Sequence, residues 1–329
     1  MATNADVARA AGVSGATVSY VLNATPGQSI SPATRDAVLR AARDLDYRPN
    51  VLARSLRRGR GNAVICPMPG LQLIHPLSLM LEACTAALEP LGLSLIPDFA
   101  SYADPAQQLE TWTRLAPAAV VDVALRHDDP VIPLLRASGI PVLSAALPQE
   151  VAWESSGDVF AREQRVTQVS YLASKGHRSI ALVWPPNLPM DPRSVRRARA
   201  VLSRTAKGFG ATLREYPIDL TAESVRALVE GWLRDGLPDA VAAHNDDYAI
   251  ALVSALVAAG VRVPDDLAVM GIDDIPLGRV MTPAITTLRA DFRDFATGIA
   301  ETVDEILSGR PTTTPLPVPG HEVMVRDSA

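Results

Sequence analysis

Apolar and polar positions follow two different periods along this chain. Near the N-terminus they recur every three or four residues, the spacing of amphipathic helices. Thr3 precedes a helical run and Asp6 follows three residues later, a capping-box pattern. Val7, Ala10 and Ala11 then recur at helical spacing, and Gly12 suits the left-handed end of a helix. Ser14 is placed to cap a second helix with Val18, Val21 and Leu22 inward. Gly15, Ala16, Thr17, Ser19 and Tyr20 then lie near the free N-terminal end of that helix. A third helix is predicted from Ser31-Pro32 to about Leu45, with Val38, Ala41, Ala42 and Leu45 as its inner stripe.

Beyond residue 60 the pattern changes. Short apolar runs at Ala63–Cys66, Ala118–Val123, Val142–Ala145, Ser179–Val183, Ala240–Ala243 and Leu267–Gly271 alternate with longer helical stretches. That rhythm predicts βαβ units and parallel sheets. A body of this length buries a substantial core in two lobes. The expected fold class is therefore α/β behind an all-α head.

Charge separates the same two regions. Residues 1–60 hold nine arginines against four aspartates, a net of +5, which leaves −10 for the remainder of a chain whose total is −5. A basic head on an acidic body is the footprint of phosphate binding confined to one module. Two short capped helices, the second carrying small and hydroxylated side chains, fit a helix-turn-helix that reads the major groove. An ordinary three-helix pack is the alternative from periodicity alone.

Asp6–Asn23 (DVARAAGVSGATVSYVLN), YRPNVLARSLRRG at Tyr47–Gly59, LASKGHRSIALV and VPDDLAVMGIDDIPLGRVMTPAITTLR together resemble the LacI/GalR family of bacterial transcription regulators. The resemblance implies a helix-turn-helix head over 1–48, a hinge helix or linker over 49–60, and a periplasmic-binding-protein-like (type I) effector and dimerisation domain over 61–329. Its first lobe is placed at about 61–155 and 289–318, its second at about 156–288 and 319–329. The implied partners are double-stranded operator DNA, a small-molecule effector (a sugar or another metabolite) and a second copy of the chain, with no cofactor. Thr3, Ser14, Thr17, Ser19 and Asn23 are candidates for phosphate or edge contacts that fix register. Gly15, Ala16 and Tyr20 occupy the positions that choose the operator. Tyr20 stands where many relatives carry arginine, so a bidentate contact to guanine is lost and a different operator is expected.

The hinge follows from the same resemblance. Asn50 to Arg57 is under three turns long, and an isolated helix of that length is marginal in water. In the family it becomes helical on the operator as a pair. Leu56 takes the place of the leucine that wedges into the minor groove, Ala53 faces the partner hinge, and Asn50, Arg54 and Arg57 lie beside the DNA. A charged linker whose leucine packs on the body is the alternative.

The implied effector residues are His75, Leu77 and Ser78 from the first lobe, and Phe160, Arg193, Arg196, Leu220, Asn245, Asp246 and Asp273 from the second. Asn245 and Asp273 follow apolar runs, where parallel strands present ligand sites; a carboxylate there can equally cap the next helix. Departures stand beside the matches. Phe160-Ala161 falls where relatives carry Asp-Asn, Ala145-Ala146 near a usual acid, and Trp184-Pro185-Pro186 in a usual glycine-rich turn. Unpaired sugar hydroxyls cost roughly 1–3 kcal/mol each, so a less polar metabolite is also open.

Other classes fit less well. Cys66 and Cys84 make no metal or redox spacing and read as buried thiols. There is no basic-then-apolar leader and no run of about 18 apolar residues, which speaks for a cytoplasmic regulator with no membrane association over an exported solute-binding protein. An enzyme would have to use Asn245, Asp246, Asp247, Asp273 and Asp274. No GxGxxG fingerprint, P-loop, GxSxG elbow or histidine–cysteine spacing accompanies them, so neither catalytic residues nor a metal site are expected.

Overall fold

The computed structural model describes residues 2–22, 27–47, 60–69, 74–122, 129–144, 156–188, 192–310 and 317–329. It divides into two compact units, Met1–Gly61 and Asn62–Ala329. Asn23 and the hinge candidates Asn50, Ala53, Arg54, Leu56 and Arg57 lie outside the described residues.

The first unit contains α1 (Asn4–Ala11), α2 (Gly15–Leu22) and α3 (Pro32–Asp44). Each start is capped as the side chains dictate. Thr3 N–H donates to Asp6 Oδ2 at 2.9 Å while Asp6 N–H donates to Thr3 Oγ1 at 3.3 Å, a reciprocal box. Thr17 N–H donates to Ser14 Oγ at 3.1 Å, and Thr34 N–H to Ser31 Oγ at 3.1 Å. Gly12 ends α1 at φ 67°, a left-handed conformation that a Cβ disfavours. Val7, Ala8, Val18, Val21, Val38 and Ala41 form the core. Two stripe positions differ from the sequence pattern. Ala8 replaces the exposed Ala10, and Leu45, at the C-cap of α3, is 38% exposed because the helix has ended.

The second unit holds two parallel sheets. In the first, β1 (Ala63–Pro67), β2 (Ser94–Asp98), β3 (Ala119–Asp122) and β4 (Val142–Ser144) run in the order β2-β1-β3-β4. Val64 pairs with both Leu95 and Ala119, and Val120 with Val142. In the second, β5 (Ser179–Trp184), β6 (Thr212–Pro217), β7 (Ala240–Ala243) and β8 (Ala268–Met270) run β6-β5-β7-β8, with Ile180 paired to both Leu213 and Ala240. Inner strands β1, β3 and β7 are buried end to end and β5 beyond Ser179, as expected where helices cover both faces.

The intervening helices are α4 (His75–Leu88), α5 (Pro105–Thr113), α6 (Val131–Ala137), α7 (Ser156–Ser174), α8 (Pro192–Gly208), α9 (Ala222–Asp235), α10 (Asp246–Ala258), α11 (Pro276–Val280) and α12 (Arg293–Leu307). An antiparallel ribbon, β9 (Thr287–Asp291) with β10 (Gly320–Met324), joins the halves. Leu288 packs in the core of the second sheet, whereas Ala290, Phe292 and the inner face of α12 pack in the core of the first. Chain strands β2, β6, β9 and β10 lie outside the runs that the sequence pattern marks. Among the described residues no helix is long and apolar enough to cross a membrane. Cys66 and Cys84 are free and buried, and desolvation pushes both thiols up, Cys84 to about 12.

Candidate functional site

In the first unit, α2 offers a face with little bulk. Gly15, Ala16 and Tyr20 are exposed, Ser14 too, and Thr17 and Ser19 are half-buried. The Ser14 and Thr17 hydroxyls lie 2.9 Å apart, so each keeps the other oriented at the start of the helix. Thr3 is exposed but its hydroxyl donates to Asp6 Oδ2 at 2.7 Å, which holds that carboxyl below its usual range. The amide ends and small side chains at this helix start leave room for a duplex groove.

In the second unit, a cavity of about 300 Å³ opens between the two sheets. The start of α4 supplies Ile74, Pro76, Leu77 and Met80 from the first half, and Phe292, Phe295 and Pro319 follow or precede the ribbon strands. Gly157, Phe160, Ala161, Gln164 and Arg165 come from the N-terminal half of α7, Arg165 at its middle. His244 and Asn245 follow β7, and Ile272 and Asp273 follow β8, so these four sit at the carboxyl ends of parallel strands. Aromatic rings line one side, with Phe160 and Phe292 centroids 5.9 Å apart and Phe292 and Phe295 6.5 Å apart.

Among the described residues, Gln164, Arg165, His244, Asn245 and Asp273 bring polar groups to this cavity, and the three that titrate are perturbed. Arg165 is 8% exposed; its Nη2 donates to His244 Nδ1 at 2.6 Å, and its guanidinium lies 6.0 Å from the Trp184 ring centroid. Accepting at Nδ1 keeps His244 neutral, and burial plus the Arg165 charge hold its pKa down to about 3. Burial also lowers Arg165 to about 10, still cationic at neutral pH. Asp273 is raised to about 8, chiefly by burial and then by the charge of Asp246, with Arg165 opposing. Its backbone sits at φ 114° and that of Asp274 at φ 52°, conformations costly for residues with a Cβ.

Thus Leu77, Phe160, Asn245 and Asp273 meet at the cavity, and the other sequence candidates stand elsewhere. Asp246 is fully buried: its Oδ1 accepts from Thr287 Oγ1 at 2.6 Å and its Oδ2 from Ile275 N–H at 2.9 Å. It braces the turn after β8. Leu220 lines a different groove, between α9 and α10. Arg193 and Arg196 are on the exposed side of α8, because its buried positions are Ser194, Ala198, Leu202 and Ala206, four apart. Ser78 donates its hydroxyl back to Ile74 O, and His75 begins α4 outside the lining. Asp274 is committed to Arg279 and Arg326. Among the described residues no group of three His, Cys, Asp or Glu side chains is placed to hold a metal ion.

Arg165, Gln164 and His244 were not among the sequence candidates. A signal was present: Arg165, Gln168, Val169, Leu172 and Ala173 follow an inner helical stripe, so two polar residues occupy core positions of α7.

Known proteins share both units. Residues 3–50 match the family described as bacterial regulatory proteins, lacI family, and residues 169–329 match a periplasmic binding protein-like domain. The HTH-type transcriptional regulator CelR of Thermobifida fusca is 30% identical over 337 residues, covering 98% of this chain and 96% of the relative. A probable HTH-type transcriptional repressor, ExuR of Bacillus subtilis (strain 168), is 26% identical, covering 100% and 98%. Among solved structures, a CelR–cellobiose complex aligns with TM-score 0.64 at 25% identity over all of both chains. The lac repressor dimer bound to operator and the anti-inducer ONPF aligns with TM-score 0.71 at 22% identity, over 99% of this chain and 98% of the other.

Proposed function

The chain belongs to the lacI family of bacterial regulatory proteins, DNA-binding transcriptional regulators, and from that premise we propose how its residues divide the work. A homodimer binds a near-palindromic operator and represses transcription. Ala16, Thr17 and Tyr20 of α2 read base edges, while Thr3, Ser14, Ser19 and Asn23 position the phosphates. Residues 1–48 form this head, and 49–60 the hinge that pairs on DNA with Leu56 wedged into the minor groove. The observation that carries the reading is the capped α2, with Gly15, Ala16 and Tyr20 on its open side, in a module of net +5.

The cleft between the sheets takes a small-molecule effector. Support comes from its position at the strand ends and from the relative whose structure holds cellobiose. Ligand contacts on both halves couple cleft geometry to hinge pairing, with a coupling free energy of about 1–3 kcal/mol typical of such sites. We read the protein as a regulator acting in the cytoplasm and not as an enzyme: Asp246 and Asp274, half of the acidic cluster, are consumed by structural hydrogen bonds.

The test is selection of bound duplexes from a random pool by full-length protein at physiological salt. The expected product is a near-palindromic site. Equal recovery of all sequences refutes the reading. Tyr20→Arg is expected to shift the selected half-site toward guanine, and an unchanged profile excludes Tyr20 from base reading.

A further inference from the structure

We propose that the cleft takes a compact organic carboxylate, its anionic head on Arg165 and its apolar ring or chain against Leu77, Phe160 and Phe292. This rests on the cleft being the effector site and names the class of effector.

Arg165 carries the argument. It is 8% exposed, yet none of the described ion pairs includes it. Its Nη2 serves the neutral His244 ring, which returns no charge, and its Nη1 makes no hydrogen bond among the described residues. An uncompensated buried cation is costly, and an unmatched buried N–H adds to that cost. A planar guanidinium with a free edge matches the two oxygens of a carboxylate. Asp273 does not fill this role. The two interact through space, but Asp273 makes no ion pair with Arg165, and burial raises its carboxyl to about 8, which reduces the negative charge it offers at neutral pH.

The remaining walls decide the body of the ligand. Leu77, Phe160 and Phe292 present apolar surface, and the cavity of about 300 Å³ is at the small end of ligand pockets, the size for one ring. A neutral sugar there would bury hydroxyls against hydrocarbon. Among the described residues Gln164 and Asn245 add neutral polar groups; Asn245 Oδ1 accepts from Tyr248 N–H at 3.2 Å, which leaves its amide N–H groups for a ligand. The competing explanation is that Arg165 is held only for packing, by His244 and the Trp184 ring. On that explanation charge on the ligand has no effect.

The experiment is calorimetric titration of the full-length protein at pH 7. The acids are benzoate, phenylacetate, cyclohexanecarboxylate and hexanoate; the neutral partners are their amides; glucose and cellobiose complete the panel. We expect at least one acid to bind, at least tenfold tighter than its own amide. Arg165→Gln is expected to abolish that preference, and Arg165→Lys to keep part of it. Should Arg165→Gln fail to fold, the acid–amide ratio on the unaltered protein decides. Amides binding as tightly as acids overturns the proposal. Sugars binding while all four acids fail also overturns it and leaves the cleft as the effector site. Failure of every compound overturns both.

Discussion

Gly271→Ala tests whether the turn behind the cleft is braced as the geometry requires. A Cβ on Gly271 would lie 2.0 Å from Asp246 Oδ1 and 3.2 Å from its Cα. Ordinary contact is about 3.5 Å, so the carboxylate must move by roughly 1.5 Å. It has nowhere to go without loss, because Oδ1 accepts from Thr287 at 2.6 Å and Oδ2 from Ile275 N–H at 2.9 Å. A displacement of that size breaks both hydrogen bonds. Burial raises the Asp246 pKa to about 6, so above pH 7 the group is mostly ionised and both bonds are charge-assisted. At about 1.5–3 kcal/mol each, the loss is about 3–6 kcal/mol, against a total domain stability of about 5–15 kcal/mol. Urea unfolding at pH 7.5, followed by circular dichroism, measures it. The same substitution in an Asp246→Ala background is expected to cost clearly less, since the clashing oxygen is gone and only the 3.2 Å approach to the residue 246 Cα remains. A loss below about 1 kcal/mol for Gly271→Ala alone, or an equal loss in both backgrounds, refutes the bracing role.

Asp273→Asn addresses pH. The folded pKa of about 8 lies above the unfolded value near 3.8, so the aspartate's contribution is complete below pH 3.8 and lost as pH rises toward 8. The groups acting on it are Arg165, Asp246 and Asp247. Stability of the unaltered protein relative to Asp273→Asn is therefore expected to fall between pH 5 and 8, by at most about 1.4 kcal/mol per pH unit; parallel curves over that range contradict the burial argument. Leu56→Ala is expected to weaken operator binding strongly and non-specific binding little, read by salt-matched gel shifts. Equal loss on both excludes the wedge.

Much of the architecture was legible because the signals were local. Caps at Thr3, Ser14 and Ser31 are side-chain chemistry acting over three residues, and they stand in the structure as the sequence indicates. Central strands β1, β3, β5 and β7 are buried on both faces and therefore read as continuous apolar runs. Of the edge strands, β4 and β8 also read as apolar runs, whereas the opposite edges do not. Both β2 (Ser94–Asp98) and β6 (Thr212–Pro217) keep exposed positions, and β6 carries Arg214 and Glu215, so neither produces such a run. Cleft residues were legible where they follow a visible strand, as Asn245 and Asp273 do. Arg165 lies in mid-helix, and its partner His244 is 79 residues away. Only the fold brings them together. Arg196 is a different case: the resemblance suggested it as an effector residue, whereas the four-residue spacing of the buried face of α8 leaves it exposed and outside the described cavity lining.

The placement of Arg165 bears on how such a cleft signals. Ligand binding shifts an equilibrium only through a difference in affinity between states, however tight the binding. Leu77, Phe292 and Phe295 belong to the first half of the second unit, and Arg165 and Asn245 to the second half. A molecule whose charge reaches Arg165 while its body packs on Leu77 and Phe292 touches both halves at once, and would favour the arrangement that satisfies both sets of contacts. On the proposal above, the acidic head supplies both affinity and the state preference, and an uncharged analogue that still occupies the wall is expected to be a poor effector even at saturation. The same reasoning accounts for tolerating an expensive buried cation in an apolar cleft: its cost in the free protein is recovered only in the liganded state, which widens the gap between the two.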